Sequence, residues 1–129
     1  MHREPTKGPA IGRVLLVDDE PLMRRATGRV REALGFEVRS AEDGTEAEAM
    51  LTQWPEADVV LLDLLMPGPS PEESFAALRR VKPGVPIVLC SGYAPEDVAA
   101  RLLSEPKVTH LQKPFNRAQL AEAIALVRR

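Results

Sequence analysis

The 129-residue chain contains very few cysteine and aromatic residues. Its one cysteine, Cys90, excludes an internal disulfide framework and a cysteine-based zinc cluster. With three Phe, one Trp and one Tyr, any core must be built from aliphatic side chains. The balance of 17 Lys and Arg against 19 Asp and Glu gives a net charge of −2, so no basic field favours direct nucleic-acid binding.

Long hydrophobic runs are also missing. No apolar run approaches the roughly 20 residues of a membrane-spanning helix, which argues against membrane insertion. The N-terminus lacks the apolar region of a signal peptide, so we expect a cytoplasmic protein. Proline, by contrast, is abundant, with 12 residues in the chain, well above the average of about 5%.

Short apolar segments alternate with helical patterns from residue 13 onward. The polar, Gly- and Pro-containing residues 1–12 are predicted to form a flexible lead-in. The segments predicted to be strands are Arg13–Val17, Phe36–Ser40, Asp58–Leu62, Pro86–Cys90 and Val108–Gln112. Apolar residues at helical spacing follow each of them and predict five helices. We therefore expect an α/β fold: one domain over residues 13–129, with a doubly wound, five-stranded parallel sheet.

Three helix starts carry the signature of a capping box, in which a capping side chain precedes Glu or Gln by three residues. The predicted capping residues are Thr45, Ser70 and Asn116. Pro71 follows Ser70 at a position where the first helical turn tolerates a missing N–H group. Because the five strand–helix units fill residues 13–129, we expect no separate output domain within them.

Polar residues follow the predicted strands at one edge of the sheet. Asp18 and Asp19 follow the first strand, Asp63 the third, Ser91 the fourth and Lys113 the fifth. Since such sheets bind ligands at the carboxyl ends of their strands, we expect these side chains to converge. Two unit charges ~4 Å apart repel by about 4 kcal/mol at an effective dielectric constant of about 20. The carboxylates therefore predict a Mg²⁺ site, with Lys113 as a further positive charge and one carboxylate as a nucleophile.

Each of these residues also has a simpler interpretation. Asp19 could cap the first helix, because Asp is a favoured N-cap residue. Asp63 and Ser91 could be turn residues, and Lys113 could belong to a surface loop. Only their joint placement at the ends of predicted strands favours a chemical role.

Four segments resemble the motifs of receiver (response-regulator) domains of two-component signalling. They are Val14–Pro21, Leu61–Pro67, Ser91–Ala94 and Leu111–Phe115. They occur in the family's order, so the chain is similar to this family over about residues 12–129. The last two motifs are similar to receivers attached to hybrid sensor kinases. The resemblance implies a flavodoxin-like sheet with strand order 2-1-3-4-5.

The resemblance also implies Mg²⁺-dependent phosphotransfer to Asp63. The donor would be the phosphohistidine of a histidine kinase or of a histidine phosphotransfer domain. Asp18 and Asp19 would form the acidic pair at the metal, with Asp63 and the backbone carbonyl of Leu65 as further ligands.

Further roles follow from the same resemblance. Ser91 would be the switch hydroxyl and Lys113 the lysine of the site, with a cis peptide bond to Pro114. Phosphorylation would add about −1.5 to −2 charge and alter a surface at about Pro95–Arg128. This surface would bind a downstream protein or a second copy of the chain.

Three positions depart from the usual pattern of the family. Pro71 stands where the family has a glycine, so we expect a stiff, remodelled loop after Asp63. Leu65 replaces a polar side chain, and with Tyr93 facing it we expect slow hydrolysis of the aspartyl phosphate. His110 occupies the place of an aromatic switch residue, although a lone strand histidine is more often a packing or surface residue.

Two other functions share parts of this pattern. A non-phosphorylated pseudo-receiver scaffold is disfavoured because all five site positions are chemically intact. A Mg²⁺-dependent aspartyl phosphohydrolase usually needs a second Asp two residues after the nucleophile, where this chain has Leu65. We therefore expect a switchable interaction module with self-directed phosphotransfer and dephosphorylation, and not an enzyme acting on a free substrate.

Overall fold

A computed structural model describes residues 12–19, 35–64, 69–92 and 96–128, except for the side chains of 96–99. The strands are β1 (Gly12–Val17), β2 (Phe36–Ala41), β3 (Val59–Asp63), β4 (Ile87–Ser91) and β5 (Val108–Gln112). The helices in these ranges are α1 (Gly44–Gln53), α2 (Pro71–Val81), α3 (Glu96–Leu103) and α4 (Arg117–Val127). The predicted lead-in up to residue 11, the predicted first helix, Leu65 and Tyr93 lie outside the described residues.

The five strands form one parallel sheet in the order β2-β1-β3-β4-β5. This confirms the predicted doubly wound α/β fold and its flavodoxin-like strand order. β3 and β4 both end one residue later than the sequence predicts. Asp63 and Ser91 are therefore the last residues of their strands and are held by the sheet.

The core consists of two apolar clusters, one on each face of the sheet. Alternate residues of β1 belong to different clusters. Leu15 and Val17 lie in the cluster with helices α1, α2 and α3, whereas Val14 and Leu16 lie in the cluster with α4. All five residues of β3 are buried. A central strand covered on both faces explains why its sequence is a continuous apolar run.

The helix starts test the predicted capping residues. Ser70 and Asn116 each form a complete capping box, with Glu73 and Gln119 respectively, which confirms both predictions. Pro71 is the first residue of α2, also as predicted.

The prediction for Thr45 is wrong. Asp43 is the N-cap of α1, and its carboxylate accepts a hydrogen bond from the backbone N–H of Glu46 at 2.8 Å. The segment from Asp43 to Glu46 fits the same capping signature two residues earlier in the chain. Since Asp is a stronger N-cap residue than Thr, the earlier position prevails.

Two basic side chains close the amino ends of the strands. Arg79 donates hydrogen bonds to the carbonyls of Val85 and Pro106. Lys82 donates from Nζ to the carbonyls of Pro55 and Ala57. Both side chains donate hydrogen bonds to backbone carbonyls that precede strands, so they stabilise the amino edge of the sheet.

Among the described helices, none combines the length and the apolar character needed to cross a membrane.

Candidate functional site

The register of the sheet brings Asp18 and Asp63 together. Val17 of β1 pairs with Leu62 of β3, so each aspartate follows a member of the same pair. The backbone N–H of Asp18 donates to the carbonyl of Ala41 at 3.0 Å, which extends the sheet beyond the end of β1. The Asp18 and Asp63 residues are only 1% and 5% exposed. Two carboxylates are therefore fixed side by side at the carboxyl edge with little access to solvent.

Lys113 reaches both carboxylates from the edge of the sheet. Its backbone N–H donates to the carbonyl of Ser91 at 2.9 Å, and its peptide bond to Pro114 is cis. Its Nζ lies 3.0 Å from Oδ2 of Asp18 and 3.1 Å from Oδ2 of Asp63. The long side chain thus spans the distance from beyond β5 to the ends of β1 and β3.

Lys113 carries a positive charge at neutral pH. Partial burial disfavours the charged ammonium, but hydrogen bonds and charges from Asp18 and Asp63 outweigh burial and raise the pKa of Lys113. The side chain is 16% exposed, so its attraction to the carboxylates is screened less than that of a surface pair.

Asp19 completes an acidic cluster with these two residues. One carboxylate oxygen from each of Asp18, Asp19 and Asp63 lies within 4.8 Å of the others. Among the described residues, three carboxylates face one ammonium, and all the candidate metal ligands are oxygens. This donor set fits a hard divalent cation such as Mg²⁺. The predicted carbonyl ligand at Leu65 lies outside the described residues.

Ser91 and His110 are joined by a hydrogen bond that the apolar pattern of the sequence does not predict. Oγ of Ser91 lies 3.1 Å from Nε2 of His110. The register places His110 opposite Leu89, two residues before Ser91 on the same face of β4. Once the strands are aligned, the side-chain period of two predicts that these residues are neighbours. The pairing of Ser91 with His110 therefore follows from the register between β4 and β5, which the apolar pattern of each strand does not specify.

Cys90 lies beside the site but is not part of its chemistry. Burial raises the pKa of its thiol to about 12, and the positive charge of Lys113 only partly offsets this. A protonated thiol is neither a good nucleophile nor a metal ligand. Cys90 is 3% exposed and packs in the core as a small apolar residue of β4.

The comparison with protein families gives a match over most of the chain. A family model described as the response regulator receiver domain matches residues 14–125. The sensor kinase CckA of Brucella abortus (strain 2308) is 35% identical over 112 residues, which are 86% of this chain and 12% of the kinase. The chemotaxis protein CheY of Halobacterium salinarum is 28% identical over 113 residues, covering 87% of this chain and 92% of that protein.

Solved structures agree with the family match. The chemotaxis protein CheY4 of Vibrio cholerae superposes with a TM-score of 0.81 at 28% identity, covering 92% of this chain and 99% of that one. The first curated relatives are much longer proteins, of which this chain spans between 12% and 25%.

Proposed function

The chain belongs to the family of response regulator receiver domains, and on this premise we propose that it is the phosphoacceptor module of a two-component phosphorelay. Receiver domains are signalling modules, so the proposed chemistry is transfer of a phosphoryl group onto the domain itself. The observation that carries the proposal is the Lys113 ammonium held between two buried carboxylates at the carboxyl edge of the sheet.

We assign the acceptor role to Asp63. It ends the fully buried central strand β3, and it lies in the Leu61–Pro67 segment that resembles the family's acceptor motif. Its Oδ2 accepts a hydrogen bond from Lys113, which supports the charged, nucleophilic form of the carboxyl group. Asp18 also accepts a hydrogen bond from Lys113, but it lies in the Val14–Pro21 segment, which resembles the family's metal-binding motif. This supports a role at the metal.

The proposed transfer forms one bond and breaks one. A carboxylate oxygen of Asp63 attacks the phosphorus of a phosphohistidine, and the O–P bond forms as the P–N bond breaks. The electron pair of the P–N bond stays on the imidazole nitrogen of the donor. The ammonium of Lys113 lies where it can compensate the charge of the phosphoryl oxygens, and Ser91 would donate a hydrogen bond to one of them.

Asp18, Asp19 and Asp63 would hold Mg²⁺, with the carbonyl of Leu65 as a proposed further ligand. When bound, Mg²⁺ supplies positive charge against the oxygens of the transferring phosphoryl group. Lys113 supplies the second positive charge, because its pKa is raised and it stays protonated at the pH of the cell.

We propose a histidine kinase or a histidine phosphotransfer domain as the donor, since one relative is by its name a sensor kinase. Phosphorylation would bias the surface at about Pro95–Arg128, which includes α3, β5 and α4, toward binding a downstream protein or a second copy. A cytoplasmic location is part of the same proposal. We also propose that the apolar Leu65 and the bulky Tyr93 slow hydrolysis of the aspartyl phosphate.

Intact-mass measurement after incubation with acetyl phosphate tests this function. We expect one phosphoryl adduct that requires Mg²⁺ and is lost in Asp63→Asn. The matched control is Asp58→Asn, which changes the aspartate that directly precedes the same strand and accepts from the backbone N–H of Arg13. This variant should keep the adduct.

Two outcomes would contradict the proposal. A wild-type protein that forms no adduct with acetyl phosphate or another small donor would favour a non-phosphorylated scaffold. Asp63-dependent, multiple-turnover hydrolysis of a free ester such as p-nitrophenyl phosphate would instead identify an aspartyl phosphohydrolase.

A further inference from the structure

A cavity of about 260 Å³ lies between helices α1 and α2. Its polar lining comprises Gly44, Thr45 and Glu48 from α1 and Glu73, Ser74 and Arg80 from α2. Of the described residues that line the cavity, none belongs to the candidate site at the carboxyl edge of the sheet. Pockets for drug-sized ligands have volumes of about 300–1,000 Å³, so this cavity suits a smaller molecule.

Ser74 gives the cavity a buried polar group. The residue is 1% exposed, and within the described part of the chain its Oγ has no hydrogen-bond partner. The Oγ is directed at Gly44 of the facing helix, since a Cβ atom at Gly44 would collide with it. Both residues line the cavity. Because a buried hydroxyl without a partner is costly, a ligand that forms a hydrogen bond with this Oγ would remove that cost.

The charged side chains of the lining favour a cationic ligand. Arg80 Nη2 lies 4.0 Å from Oε2 of Glu48, so these two charges offset each other. The carboxylate of Glu73 then leaves the described lining with a net negative charge. The positive end of a helix is worth only about half a charge, and each first turn carries another acid, Glu46 in α1 and Glu72 in α2.

An ammonium group matches both features of the cavity. It carries one positive charge and three N–H donors, whereas the lining offers carboxylates and the hydroxyls of Ser74 and Thr45. We propose that the cavity between α1 and α2 binds a small aliphatic amine, with Glu73 as the counter-ion and Ser74 as a hydrogen-bond acceptor. This inference goes beyond the proposed function and does not rest on it.

Titration of the nitrogen-15-labelled full chain with 1,4-diaminobutane at low ionic strength tests the site, and 1,4-butanediol is a neutral control of the same length. We expect saturable shifts of the backbone amide signals of Thr45 and Ser74 with the diamine. The diol should bind at least about 10-fold more weakly, because hydrogen bonds to charged groups are the stronger ones. No saturable shift with the diamine, or equal affinity for the diol, would overturn the inference.

Two variants test the assigned residues. Glu73→Gln removes the charge but keeps the capping box, because glutamine also accepts a hydrogen bond from the backbone N–H of Ser70. We expect it to bind the diamine at least about 5-fold more weakly, and Ser74→Ala about 2- to 10-fold more weakly. Unchanged affinity in either variant would overturn the assignment.

The matched control is Glu72→Gln, which removes the same charge one residue earlier. Glu72 forms an ion pair with Arg101 and does not line the cavity, so the affinity should change less than about two-fold. A loss equal to that in Glu73→Gln would show attraction to the overall negative charge and would overturn the site.

The amine must also be distinguished from a cation at the acidic cluster of Asp18, Asp19 and Asp63. Loss of diamine binding in Asp19→Asn, with Glu73→Gln unaffected, would place the amine at that cluster and overturn the inference. Because Glu73→Gln should still form the phosphoryl adduct with acetyl phosphate, failure of one proposal leaves the other intact.

Discussion

At the scale of single residues, the described part of the site combines one ammonium with three carboxylates. Lys113 is hydrogen-bonded to Asp18 and Asp63, and Asp19 adds a third negative charge at the same edge. The ammonium stabilises the buried carboxylates, but it also repels any cation bound to them. Lys113 should therefore act in opposite directions on metal binding and on phosphorylation.

Lys113→Met should separate these two effects. Because a positive charge is removed from the acidic cluster, we expect Mg²⁺ to bind about 10-fold more tightly. The rate of adduct formation with acetyl phosphate should fall at least about 10-fold, because the charge that faces the phosphoryl oxygens is lost. Calorimetric titration and time-resolved intact mass measure the two quantities. Lys82→Met, the same change at the amino edge of the sheet, should alter neither, and weaker Mg²⁺ binding in Lys113→Met would contradict the charge balance.

Cys90 gives a prediction about pH. Burial raises its pKa to about 12, so at about pH 8 the thiol is protonated and unreactive. The folded protein should not react with dithionitrobenzoate on a scale of minutes, whereas one thiol per chain should react in denaturant. The absorbance of the thionitrobenzoate that the reagent releases measures how much of the thiol has reacted. Rapid reaction of the folded protein would show that the β4 thiol is more accessible than its burial indicates.

At the scale of the elements, the helix starts show what a local signature can and cannot specify. The capping boxes at Ser70 and Asn116 were predictable because each signature occurs once at its helix. At α1 the spacing of the signature fits both Asp43 and Thr45, so the spacing alone does not identify the N-cap, and the stronger N-cap preference of Asp decides in favour of Asp43.

Two alanine variants distinguish a helix start capped by Asp43 from one capped by Thr45. Asp43→Ala should lower the free energy of unfolding by about 1 kcal/mol, because the N–H of Glu46 loses its acceptor. Thr45→Ala is exposed and should cost less than about 0.5 kcal/mol. Urea denaturation followed by circular dichroism measures both. The reverse order of the two effects would place the start of α1 at Thr45.

At the scale of the whole molecule, topology creates the site. Asp18 and Lys113 are 95 positions apart in the chain, yet their side chains are hydrogen-bonded. Apolar runs and their order were enough to predict this convergence, because parallel strands place all their carboxyl ends at one edge. The pairing of Ser91 with His110 was not predicted, since it requires the register between β4 and β5. Periodicity identifies strands but leaves their alignment open.

The central claim is that Asp63 receives the phosphoryl group, and the location of the modification tests it most directly. Borohydride reduces an aspartyl phosphate to homoserine, which marks the acceptor in peptide sequencing by mass spectrometry. After treatment with acetyl phosphate and Mg²⁺, we predict homoserine at position 63, with Asp18, Asp19 and Asp58 unchanged. Homoserine at Asp18 or Asp19, or none at any position, would contradict the account.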